Sequence, residues 1–290
     1  MFALLVFILS SSSLFIVFRG LGKDKDPLQV ILFNYLFCIL FSFSSSILEG
    51  ETLMLAGKAK WLFPALFLGV LFLINFSFTE QSVRRLGLSV SSVANKLSLV
   101  LPFFFTILIS NQEIGLRPLA GLLLCVIAIF LSAQKTGPGY ASVKMKWIWL
   151  LPVVVFLGSG FTDILTQSIN QHLVPASQSS GFVFMVFFGA FLAASLLTLI
   201  RVFSGSMKFN FRNAWPGFWL GLPNFISYKS ILLALNAFEH KGNVVFPVAN
   251  LGVIISTSLV SFLYFRDKFS KTNLAGILIS LLALLLLFQP

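Results

Sequence analysis

Charge is scarce in this chain. Only 10% of its 290 residues are Asp, Glu, Lys or Arg, against about 25% in soluble domains, and no polar stretch is left to build a soluble domain. Two cysteines, Cys38 and Cys125, both lie inside apolar segments; they read as packing residues and exclude a disulfide-stapled fold. The two histidines, His172 and His240, fall near the ends of apolar segments. With no His/Cys/carboxylate cluster at ligand spacing, no metal site is expected. No P-loop is present, which excludes direct use of ATP. No Ser/His/Asp set lies at depth, so the chain does not read as an enzyme and no cofactor is expected.

Apolar residues are what the chain has instead. They make up 58% of it, with 35 Phe. This excludes disorder, which needs low hydrophobicity and high charge, and points to an integral membrane protein. About 20 apolar residues cross a bilayer as a helix, and ten such spans fit: Phe2–Phe18, Leu28–Leu48, Trp61–Glu80, Leu88–Ser110, Leu116–Gln134, Trp147–Gln171, Gln178–Phe203, Ala214–Phe238, Asn243–Phe265 and Lys271–Gln289. The runs are continuous rather than alternating, which excludes a membrane barrel. The first span has no basic segment before it and no small-residue cleavage site, and Arg19 follows it, so it reads as a true helix rather than a signal peptide. The expected fold class is therefore all-α membrane, multi-pass, in the cell (inner) membrane.

The excess of 20 basic over 9 acidic residues would suggest nucleic acid in a soluble protein. In a membrane protein it marks loops that face anionic lipid; membrane lipids are the expected partners and nucleic acid is not. One set of loops holds 14 Lys and Arg, among them Arg19, Arg84, Arg85, Lys208, Arg212 and Arg266; the opposite set holds 4, Lys58, Lys60, Arg117 and Lys241. The positive-inside rule places the first set in the cytoplasm and both termini outside.

The longest loop, Lys135–Lys146, is rich in Gly and Pro and sits at mid-chain, dividing it into residues 1–140 and 141–290, five helices each. Shifted by 155 residues, the first part matches the second: Gly87 on Gly242, Ala94-Asn95 on Ala249-Asn250, Leu119-Ala120-Gly121 on Leu274-Ala275-Gly276. A unit with an odd number of spans must insert its second copy upside down. The expected architecture is thus two inverted five-helix repeats, a plan of secondary transporters with the site near the midplane. Gly121 and Cys125, with their mates Gly276 and Ser280, let helices approach closely, so the fifth and tenth spans are expected to pack through them, within one chain or as a homodimer.

The stretch from Ser89 to Pro102, then Phe103–Ser110, then Asn111-Gln-Glu113 on to Gly121, resembles the EamA-type half of the drug/metabolite transporter superfamily. There a helix carries a central proline (Pro102), a Glu follows in the next loop (Glu113), and a Gly-bearing helix (Gly121) ends the half. The second copy departs from the pattern, with Thr257 at the proline and Lys268 at the Glu position. The resemblance implies a ten-helix exporter or exchanger of small metabolites working by alternating access. It also implies both termini in the cytoplasm, opposite to the loop charges.

Ionisable residues deep in a membrane are costly and usually face a cavity or a partner. Lys96, Lys229 and Asp163 are the deep ones. The repeat sets Leu251 against Lys96 and Ile8 against Asp163, so these charges are additions to one half each, as a ligand site would be. Two bases and one acid leave a net positive charge that an anion would relieve. Lys96 and Lys229 would hold a carboxylate or phosphate; Asp163 would hold an ammonium, take up a proton, or pair structurally with one lysine. The repeat mates Asn95 and Asn250 should face inward, either bonding each other across the repeat or bonding substrate. Tyr228, Asn224, Asn75 and Asn34 are further candidates. Helix breakers stand beside them: Gly158-Ser159-Gly160, Gly221-Leu-Pro223 and Pro247. Glu80, Arg84, Arg85, Glu239, His240 and Lys241 lie at helix ends, solvated, paired or gating.

These residues point to a secondary transporter of a small anionic or zwitterionic metabolite, coupled to protons or to exchange. A neutral or cationic drug or amino-acid exporter of the same fold, with Asp163 as proton acceptor, is the first alternative. A non-transporting membrane subunit or a lipid-handling membrane enzyme is the alternative of another class.

Overall fold

A computed structural model describes residues 2–22, 24–48, 59–109, 116–133, 148–175, 178–237, 242–267 and 270–288. Glu113, the linker Lys135–Lys146, Lys268 and the Glu239-His240-Lys241 run lie outside the described residues. Among those described the fold is all helical, without strands. Its helices are α1 (Phe2–Gly20), α2 (Pro27–Leu48), α3 (Leu62–Leu86), α4 (Leu88–Leu97), α5 (Val100–Ile109), α6 (Leu116–Ala133), α7 (Leu150–His172), α8 (Ser179–Phe203), α9 (Ala214–Ala237), α10 (Gly242–Leu263) and α11 (Lys271–Phe288), with a 3-10 turn at Phe211–Asn213 before α9. Five of them, α1, α2, α3, α7 and α8, are by length and apolarity able to cross a membrane.

Local chemistry sets the ends. Pro27 opens α2, where its missing N–H costs nothing, and the Asp26 carboxylate accepts the Gln29 N–H at 3.1 Å. Ser270 and Asn273 exchange side-chain and backbone bonds at 3.0 and 3.1 Å to start α11. Gly205, at φ 71°, ends α8 in a Schellman turn: Ser206 N–H reaches Arg201 O and Gly205 N–H reaches Val202 O, each at 3.0 Å. Between α3 and α4 the chain turns on Gly87, at φ 103°, where a side chain would be strained.

The fourth expected span is two helices. Pro102 has no N–H to give the Ser98 carbonyl, and Leu101 N–H takes it at 2.9 Å, tightening the turn between α4 and α5. Conversely, α7, α9 and α10 run unbroken through Gly158–Gly160, Pro223 and Pro247, so the breaks expected there do not form. Neighbours stabilise a proline in a buried helix by bonding the backbone around it. At Pro223 the Cys38 thiol of α2 donates to the Gly221 carbonyl, S···O 3.5 Å.

The chain folds as two compact units, and neither is one sequence half. Unit 1 takes Met1–Arg19, Phe78–Phe161 and Ser227–Pro290; unit 2 takes Gly20–Ser77 and Thr162–Ile226. In unit 1, α6 packs along α11 and α4 along α10, around a core that includes Val93, Leu97, Phe156, Ile254 and Leu284. The fifth and tenth expected spans thus pair within one chain. In unit 2, α2 packs along α8, and Trp61, Leu68, Phe182 and Val186 belong to its core. Gly69 of α3 and Gly189 of α8 meet there: a methyl on either would run into the other helix's backbone.

Candidate functional site

Lys96 stands in the last turn of α4, two residues before the α4–α5 break. It is half-buried, and its Nζ lies 5.3 Å from the centroid of the Phe7 ring of α1. That is cation–π range, worth up to about 2 kcal/mol once the ammonium is desolvated. Beside it Asn95 donates to Ser159 Oγ of α7 at 2.7 Å, and Ser98 Oγ donates to the Asn95 carbonyl at 2.5 Å. Asn95 therefore bonds Ser159 of the Gly-Ser-Gly run. Asn250 is buried on α10. Tyr228 and Lys229 are half-buried on α9. Unit 1 thus carries Lys96, Asn95, Asn250, Tyr228 and Lys229.

A seam of hydroxyls ties the helices around Lys96. Ser92 and Thr257 bond at 2.7 Å, Ser89 donates to Ser258 at 3.3 Å, and Ser12 of α1 meets Ser256 at 2.6 Å. Farther along, Arg19 pairs with Asp267 at 2.9 Å, and Ser261 donates to the other oxygen of that carboxylate at 2.6 Å. Glu80, expected to be solvated or paired, is buried and paired with Arg84 at 3.2 Å. In a low-dielectric interior such satisfied polar networks fix register, because an unmade bond would be costly.

Unit 2 carries Asp163, Asn224 and Asn75. Asp163 is exposed on α7 and Asn75 half-buried on α3. Asn224 donates to Asn34 Oδ1 of α2 at 3.1 Å.

Sequence reasoning missed Phe7, one of 35 Phe with nothing to single it out, and the Ser92–Thr257 pair. For the latter a signal existed, because Thr257 occupies the place of the first copy's Pro102. A proline there would have no hydroxyl to offer Ser92.

An uncharacterized protein of Haemophilus influenzae is 27% identical over 291 residues, covering 98% of this chain and 97% of its own. A protein crystal structure at 13% identity superimposes with a TM-score of 0.59 over 98% of this chain and 93% of the other; at that identity it shows the fold alone. The family model of EamA-like transporters matches residues 1–134, the part that contains α1–α6, Lys96 and Pro102. That match, over just under half of the chain, is to a membrane family of the drug/metabolite transporter superfamily.

Proposed function

We propose that this protein is a secondary transporter moving a small anionic or zwitterionic metabolite by alternating access, coupled to protons or to exchange. The observation that carries the reading is Lys96: an ammonium set deep in an apolar chain, at the one place where the fourth span breaks. A carboxylate or phosphate is a stronger counter-charge than a ring face, which suits Lys96 to holding an anion. Lys229, in the same unit as Lys96, would supply a second cation; Asp163, in the other unit, would take up the proton of a coupled cycle. An exposed carboxylate on a membrane-spanning helix needs water or a partner, which favours a wet cavity along that face of α7.

The inverted repeat is part of the same proposal, and helix pairing supports it. The three pairs named above, α6 with α11, α4 with α10 and α2 with α8, are those that the 155-residue shift equates. Shifted by 155, Leu116–Ala133 becomes Lys271–Phe288, the bounds of α11. Ser89 bonds Ser258 and Ser92 bonds Thr257, an antiparallel register. Combined with that shift it centres the α4–α10 crossing at Lys96-Leu97 and Leu251-Gly252. Lys96 would then sit beside the pseudo-two-fold axis, where inverted-repeat transporters place their sites.

The test is a thermal-shift screen of purified protein against metabolites grouped by charge, with Lys96→Ala in parallel. Anions at about 100 times their Kd should stabilise the wild type by about 2.7 kcal/mol, and the variant should lose most of that response. Stabilisation by cations or neutral compounds alone would transfer the reading to an exporter that uses Asp163 as proton acceptor.

A further inference from the structure

Among the described residues four buried side-chain polar atoms have no hydrogen-bond partner: Asn34 Nδ2, Ser42 Oγ, Thr198 Oγ1 and Asn213 Oδ1. All four belong to unit 2. Two share a face of α2, since Asn34, Cys38 and Ser42 recur every four residues; their exposures are 0%, 0% and 3%. Asn34 is the informative one. Its Oδ1 accepts from Asn224 Nδ2 at 3.1 Å and lies 4.0 Å from the Cys38 sulfur, so its acceptor side is taken while its two N–H groups point at nothing. Gly221 holds α9 against this spot, where a Cβ would collide with the Asn34 carbonyl and Phe37.

A fully buried amide donor left unmade loses its desolvation energy without return, and in a membrane interior no bulk water repairs it. Hydrocarbon side chains would fit the α2–α9 contact better. The retained Asn34 amide therefore implies an acceptor that arrives from elsewhere.

We propose that Asn34, fixed by Asn224, is a hydrogen-bonding subsite in unit 2 for an acceptor oxygen of the transported molecule (carbonyl, hydroxyl or carboxylate), with Cys38 at its edge. This rests on the transporter reading above and adds to it: the transported molecule carries an oxygen recognised through a neutral amide.

Cys38 is a built-in reporter. In a Cys125→Ala background, N-ethylmaleimide should alkylate Cys38 slowly as the protein opens. Compounds that raise the melting temperature of the wild type should slow that labelling at least threefold. Asn34→Leu should keep the melting temperature of the unliganded protein and bind those compounds about three- to tenfold more weakly, the worth of one neutral hydrogen bond. Three results would each overturn the subsite while leaving the Lys96 reading intact: no labelling of Cys38 in the folded protein, labelling indifferent to a stabilising compound, or a fall of more than about 5 °C in unliganded Asn34→Leu, which would make the Asn34 bonds structural. If no compound stabilises the wild type, the transporter reading falls and the subsite with it.

Discussion

At the scale of single residues, a charge inside an apolar run was legible and its company was not. Lys96 could be picked out because an ammonium in a hydrophobic run is costly wherever it points. That it lies on the Phe7 ring could not, because the pairing joins residues 89 positions apart and every helix is rich in Phe. The same holds for Arg19 and Asp267. Each reads as a loop charge, yet they form a 2.9 Å pair, with Ser261 on the second carboxylate oxygen and the Phe265 ring 5.9 Å from the guanidinium. The backbone is shaped to make this contact: Arg266 adopts φ 52°, turning the chain so that Asp267 N–H reaches Ser261 O at 3.0 Å. Both side chains are about a quarter exposed, so solvent screens the pair. A double-mutant cycle of Arg19→Ala and Asp267→Ala, followed by thermal unfolding, should give a coupling of about 0.5–1 kcal/mol. A coupling near zero would make the contact incidental.

At the scale of elements, apolar length located the helices well, and the corrections all concern prolines and glycines. Sequence alone cannot tell a proline that breaks a helix from one that neighbours accommodate, because the outcome depends on what packs against the freed backbone. Pro223 stays inside an unbroken helix; Pro102 coincides with a break. Glycine is equally ambiguous. The Gly121 and Gly276 spacing announced the α6–α11 contact, whereas Gly69 and Gly189, which let α3 and α8 touch backbone to backbone, carry no motif. Their contact leaves no room for a side chain, since interiors are packed as densely as crystals. Gly189→Leu should therefore destabilise the protein by about 1–3 kcal/mol or more, as overpacking does. Gly205→Ala, at an open turn where no atom lies within 4 Å of the added methyl, should cost only the left-handed strain of about 1–2 kcal/mol. Melting temperatures of the two variants would separate these causes: a substitution at Gly189 that packs without loss would remove the close contact from the account.

At the scale of the whole molecule, the compact units were not legible in the sequence, because a unit drawn from both halves leaves no boundary in the composition. The ends of the helices bear on how the chain threads the membrane. Four of the described contacts between helix ends are Arg19 with Asp267, Gln29 with the Lys208 carbonyl at 2.8 Å, Trp61 with Gln178 at 2.7 Å, and Asn273 with the Leu131 carbonyl at 3.5 Å. If ten spans alternate direction, each of these contacts joins two ends on one side, as it must. The first, second and fourth fall on the side that holds 14 basic loop residues, the third on the side that holds 4. Charge bias acts during insertion and counts Lys and Arg in short loops near the helix ends, the situation of Arg84, Arg85, Lys208, Arg212 and Arg266. That side should be cytoplasmic. A fluorescent protein fused after Ser206 should glow in the cytoplasm, and alkaline phosphatase fused after Pro290 should be active outside. A fluorescent C-terminal fusion would reverse the orientation while leaving the alternation untouched, because both ends of every contact would change sides together. A disagreement between the two fusions about which side the α8 end shares with α10 would instead break the ten-span alternation itself, and with it the inverted repeat on which the placement of Lys96 depends.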